Sequence, residues 1–75
     1  MKVTVKLIGP LIYEAGFSEK EVETQAGSTV ETLLLALGLV RPRPKIVTRN
    51  GRAVAPNEIL AEGDRIAVSP IYSGG

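Results

Sequence analysis

The sequence closes on Ser69-Pro70-Ile71-Tyr72-Ser73-Gly74-Gly75, and its clearest chemical resource lies there. Two glycines carry no β-carbons, so their backbone passes through channels too narrow for other residues and has the widest φ/ψ range. The last functional group is then an α-carboxylate with no side chain to shield it. Such a carboxylate suits presentation to another protein's active site. The plainer alternative is an unstructured end, since chain termini collect disorder. Glycine makes up about 7% of ordinary sequence, so a chance pair at two given positions arises roughly once in 200 chains.

The rest of the chain offers catalysis little. Cysteine and histidine are absent and Asp64 is the only aspartate. That leaves no disulfide framework, thiolate metal site or imidazole base. An internal catalytic group would come from Glu, Lys, Tyr or Ser, which argues against an enzyme and against a bound cofactor. The net charge is +1, with both signs interspersed, so the basic face of a nucleic-acid binder is not expected. One basic cluster, Arg41-Pro42-Arg43-Pro44-Lys45, reads either as a solvated, proline-stiffened loop or as a docking patch for an acidic surface. No stretch approaches the ~18 apolar residues of a membrane span, and the alternating N-terminus lacks a signal-peptide core. The expected location is the cytoplasm.

Seventy-five residues make one domain with a small core to which every element must contribute. Lys2 to Ile8 alternates as a strand, with Val3, Val5 and Leu7 on one face. Gly9-Pro10 breaks it, and Leu11 to Ala15 suits a short helical turn ended by Gly16. Glu21 to Gln25 is predicted as a charged edge strand. Ser28-Thr29-Val30-Glu31 reads as a capping box with Ser28 as the N-cap. The helix then spans about Thr29 to Leu37, its stripe being Val30, Leu33, Leu34 and Leu37, with Leu35 pointing away. Gly38 is the expected left-handed stop, with Leu39 folding back on Leu34. Lys45 to Arg49 and Arg52 to Val54 form a hairpin across Asn50-Gly51, a pair that meets the positive-φ demand of a type I′ turn. Ile59-Leu60 anchors the next turn. Glu62-Gly63-Asp64 turns the chain into a last strand, Arg65 to Ser69, and pairing is expected to stop at Pro70. Tyr13 and Phe17 are read as core or loop packing.

One amphipathic stripe needs a sheet to cover it. The two terminal strands are the most apolar, so they should lie side by side at the centre, joined through the helix by a right-handed crossover. The expected fold is therefore α+β: a β-grasp (ubiquitin-like) domain over 1–69, with a mixed sheet of four to five strands, one main helix on one face, and a flexible tail over 70–75.

At this point the chain resembles the MoaD/ThiS family of ubiquitin-like sulfur carriers over its whole length. The matching stretches are Gly9-Pro10-Leu11, the helix entry from Ala26 to Leu34, and Leu37-Gly38-Leu39. They continue through the Asn50-Gly51 hairpin, the run from Leu60 to Val68, and Pro70 followed by Gly74-Gly75. The resemblance implies that a ubiquitin-activating-type enzyme adenylates the Gly75 carboxylate with ATP and Mg. A sulfur donor then turns the acyl-adenylate into a thiocarboxylate. Residues 70–75, if extended, reach about 20 Å. Gly74 and Gly75 are the indispensable residues on this reading, and Pro70, Ile71, Tyr72 and Ser73 are partner contacts.

The segment Leu11 to Gly16 resembles the first helix of the small subunit of molybdopterin synthase. That favours a molybdopterin-type (or tungsten cofactor) role, with the synthase large subunit as sulfur acceptor, over a thiamin thiazole carrier. Ile12-Tyr13 and Ile71-Tyr72-Ser73 depart from the usual form of that subunit. Two other readings stay open: a protein modifier that acylates lysines through the same activated glycine, and a non-covalent β-grasp interaction module.

Overall fold

The structure, a computed structural model, describes residues 1–39 and 45–70. The basic cluster, apart from Lys45, and the tail beyond Pro70 lie outside the described residues. The elements run β1 (Lys2–Leu7), α1 (Leu11–Ala15), β2 (Glu19–Glu23), α2 (Val30–Ala36), β3 (Lys45–Arg49), β4 (Arg52–Ala53) and β5 (Arg65–Pro70). They build a five-stranded mixed sheet in the order β2-β1-β5-β3-β4. The two apolar terminal strands are parallel neighbours at its centre, with α2 in the connection between them. This is the β-grasp, ubiquitin-like architecture that the alternation and the single long stripe predict.

Val3, Val5 and Leu7 of β1 and Ile66 and Val68 of β5 are buried with Val30 and Leu33 of α2. Leu11, Leu39 and Leu60 complete the core. Leu34 and Leu37 pack partly against it, and Leu35 is exposed, as the stripe requires. The helix exit follows the expected Schellman pattern. Gly38 has φ +79°, its amide donates to Leu35 O, and the Leu39 amide donates to Leu34 O at 2.9 Å.

The helix entry differs from the expectation. Thr29, not Ser28, is the N-cap, accepting from the Thr32 amide at 3.2 Å. The Ser28 hydroxyl is already engaged as acceptor for Thr24 Oγ1, at 2.9 Å. The Glu31 and Val30 amides donate to the carbonyls of Pro56 and Glu58. A distant segment therefore satisfies donors that a capping box satisfies locally.

Other boundaries move for similar tertiary reasons. β2 begins two residues earlier than expected, at Glu19, because its pairing with β1 runs from Lys2↔Glu23 to Lys6↔Glu19, a register that sets its one apolar side chain, Val22, opposite Val3. Leu60 is buried, but Ile59, expected beside it as an anchor, is exposed. The Thr29↔Ile59 bridge fixes its backbone, not its side chain. Tyr13, read as packing, is 88% exposed, while its neighbour Ile12 and Phe17 pack against the core. A five-residue helix buries a single narrow side, and Leu11 and Ile12 use it up. β5 continues through Pro70, which pairs with Lys45 and is buried.

Candidate functional site

The candidate site begins where β5 hands over to the tail. β5 is held on both edges: parallel to β1 from Thr4↔Arg65 to Leu7↔Val68, and antiparallel to β3 from Arg49↔Ile66 to Lys45↔Pro70. Beyond β1 the Ile8 amide adds a bond to Val68 O at 3.0 Å. Proline can end such a strand because it needs only to accept. Pro70, expected among the partner contacts and at the start of the tail, is a buried residue of the sheet. Ile71, Tyr72, Ser73, Gly74 and Gly75 lie outside the described residues.

The exit is flanked by apolar side chains that sequence reasoning did not single out. Alternation puts Val47 on the core side, so adjacent Ile46 must face the other way; it pairs with Ser69 and is 46% exposed. Ile8 continues β1 beside Val68 and is 44% exposed. The available signal was the Ile46-Val47 doublet: in a strand of period two, one of two neighbouring apolar residues has to leave the core. Further along this open face lies a shallow groove of about 430 Å³ whose lining includes Thr4, Lys6, Thr48, Arg65 and Ala67. Outside it, the register aligns Glu19, Glu21 and Glu23 of β2 with Lys6, Thr4 and Lys2 of β1. The Lys2–Glu21 pair, 3.7 Å apart, is exposed and contributes little to stability.

At the opposite end of β5 sits Asp64, 7% exposed and, among the described residues, the one buried charged side chain. Its Oδ2 accepts from the Ala61 amide at 2.8 Å and its Oδ1 from Asn50 Nδ2 at 3.2 Å. Arg49 Nε stands 3.9 Å away. Arg49 also donates to Ile59 O at 2.8 Å and lies 3.6 Å from Glu58. A buried carboxylate supplied in this way with donors and a cation is a clamp on the turn that launches β5. Among the described residues no three His, Cys, Asp or Glu side chains are grouped to hold a metal, and no helix is long and apolar enough to cross a membrane.

Comparison with known proteins adds the family context. A model of the ThiS family matches residues 5–75. SAMP1 from Haloferax volcanii is similar over all of both chains, at 30% identity and TM-score 0.81. The putative molybdopterin converting factor subunit 1 from Pyrococcus furiosus is 26% identical, with TM-score 0.81, covering 93% of this chain and 97% of that one. The complex of subunits 1 and 2 of molybdopterin-converting factor from Helicobacter pylori contains a chain that shares the fold at 22% identity and TM-score 0.68, covering all of both chains.

Proposed function

The chain belongs to the ThiS family, and from that membership we propose that it is a sulfur carrier acting through Gly75. The observation that carries the proposal is the family match itself, which extends through residue 75 and so takes in Gly74-Gly75 on a ubiquitin-like body. The chain is a co-substrate on this reading, not an enzyme, and it works in the cytoplasm.

A carboxylate resists substitution because its leaving group would be oxide. An adenylating partner using ATP and Mg removes that obstacle: a Gly75 oxygen attacks the α-phosphorus, pyrophosphate departs, and the acyl carbon now carries AMP. Sulfur from a donor displaces AMP and leaves a thiocarboxylate. The globular body holds the arm at a fixed root. β5 is paired with β1 as far as Val68 and with β3 as far as Pro70, and residues 71–75, if extended, would reach about 17 Å from there. Ile71, Tyr72 and Ser73 line the partner's entry channel, and Gly74 and Gly75 pass its narrowest part.

Delivery in molybdopterin-type cofactor synthesis, to a large-subunit acceptor, is favoured over thiazole synthesis. It is supported by the likeness to a putative molybdopterin converting factor subunit 1, and by the short helix α1, which the notably small carriers of the thiazole pathway tend to lack. Modification of other proteins is the second reading, supported by the 30% identity to SAMP1, a small archaeal modifier protein. Mass spectrometry of the full chain, co-expressed with its adenylating enzyme under sulfur-replete conditions, should show one oxygen replaced by sulfur at Gly75. An unchanged mass with an active enzyme would defeat the carrier reading. Lysine conjugates that disappear when Gly75 is deleted would favour the modifier.

The exposed isoleucines at the root are the body's contribution to partner contact. Ile46→Asp is expected to weaken association with the adenylating enzyme by roughly 10–100-fold, the effect of a lost apolar anchor. Its melting temperature should stay near that of the natural chain, because Ile46 faces away from the core. Titration calorimetry and a thermal melt check the pair of outcomes; unchanged affinity would remove this face from the interface.

A further inference from the structure

We propose that Asn50-Gly51 is a self-modification site, at which deamidation unlocks the clasp between the β3–β4 hairpin and the start of β5. Asn50 has φ +52° and Gly51 φ +86°, the two left-handed positions of the turn. The Asn50 side chain is turned towards β5. Its Oδ1 accepts from the Arg65 amide at 2.9 Å and its Nδ2 donates to Asp64 Oδ1 at 3.2 Å. The Asn50 amide also donates to Arg65 O at 2.8 Å. This clasp closes the β3–β5 seam at the end remote from Pro70, beside the pair Arg49↔Ile66.

Asparagine is a thermolabile residue, and glycine after it leaves the attacking nitrogen unobstructed. The Gly51 amide nitrogen gives up its proton to solvent base and attacks Asn50 Cγ. The N–Cγ bond forms, the Cγ–Nδ2 bond breaks, and ammonia leaves carrying a proton from water. Water then opens the cyclic imide. Opening at Cγ gives aspartate; opening at the backbone carbonyl gives isoaspartate, with an extra methylene in the main chain. Water enters, ammonia leaves, and nothing is oxidised or reduced. The clasp opposes the first step, because the two side-chain bonds hold Cγ towards β5 and away from Gly51.

Once the reaction occurs it cannot re-form the clasp. The donor that served Asp64 becomes a carboxylate facing a carboxylate. Asp64 is 7% exposed, so the repulsion is weakly screened. Arg49 already serves both Asp64 and Glu58, and Arg52 and Arg65 line the surface on either side of Asn50. The seam then frays from the hairpin tip.

The test incubates the full chain at 37 °C and mildly alkaline pH and locates the mass gain of an amide exchanged for an acid by fragmentation of the intact protein. Asn57, the other asparagine, is the internal control. Modification should concentrate at Asn50, be fastest in denaturant, and be about tenfold faster in Asp64→Ala than in the natural chain, the consequence of losing a bond to a charged acceptor. Because Asp64→Ala also frees the Ala61 amide, Asn50→Asp is melted in parallel. Aspartate tolerates the left-handed turn nearly as well as asparagine, so this variant isolates the charge. Its melting temperature should fall by about 5–10 °C. Equal rates in Asp64→Ala and the natural chain, or an Asn50→Asp protein that melts with the natural one, would overturn the proposal.

Discussion

Adding a single leucine after Gly75 is expected to abolish sulfur loading while leaving the fold untouched. The extra residue moves the carboxylate by about 3.5 Å and puts a branched side chain where a channel shaped for glycine must close. Displacement of a reacting group by even ~1 Å costs on the order of 100-fold, so the modified species should drop below detection. The melting temperature should be unchanged, since the addition leaves every described core residue, and Pro70 on this strand, as it is. Intact-mass analysis after incubation with the adenylating enzyme, ATP and a sulfur donor checks the first outcome, and a thermal melt the second. Normal loading of the extended chain, or undisturbed cofactor synthesis in a host that carries only that chain, would end the proposed mechanism. Loss of loading together with loss of fold would point instead to a structural role for the end of the chain.

Leu33→Ala should carry the largest stability loss among the helix substitutions. Leu33 is 1% exposed and is the central member of the α2 stripe, facing the inward residues of β1 and β5. Truncation of a buried leucine costs about 2–5 kcal/mol, from lost transfer energy and the cavity left behind. A domain of this size has a total stability near the low end of the usual ~5–15 kcal/mol. At about 4–8 °C per kcal/mol the melting temperature should fall by roughly 8–40 °C. Leu35→Ala, on the exposed side of the same helix, should change stability by no more than about 0.5 kcal/mol. Circular dichroism melts of the two variants check the contrast. Equal losses would mean that α2 packs on the sheet through a different face.

Elements whose local chemistry and tertiary role agree were legible before any coordinates. The Lys45–Arg49 strand, the Asn50-Gly51 turn and the Leu37-Gly38-Leu39 exit appear where the residues place them, because each rests on a short-range constraint: alternation, positive φ, a missing β-carbon. Elements were misplaced where a distant partner outbid the local one. Ser28 has the right side chain for an N-cap, but Thr24 claims it and Pro56 O takes the amide it would have served. Tyr13 has an aromatic ring suited to packing, but the short α1 has no second buried side to receive it.

The candidate site divides in the same way. The terminal glycines were conspicuous from sequence, and the role given to them is a proposal resting on family membership. Ile8 and Ile46 passed unnoticed, since an exposed isoleucine has meaning only once its neighbours across the sheet are known. Asp64 was visible as the sole aspartate, yet its position as the acceptor joining Ala61, Asn50 and Arg49 depends on a hairpin that returns to it from 14 residues away.

By itself the amino-acid order determined the element types, the apolar faces and the ubiquitin-like class, because period, capping and turn chemistry act within a few residues and the two apolar terminal strands have only each other to pair with at the centre. The tertiary structure alone decided which residue caps α2, that Pro70 belongs to the sheet, and which apolar side chains remain on the open face beside the exit. Those outcomes are competitions between partners far apart in the chain, and the winner is set by register and burial, which no local segment encodes.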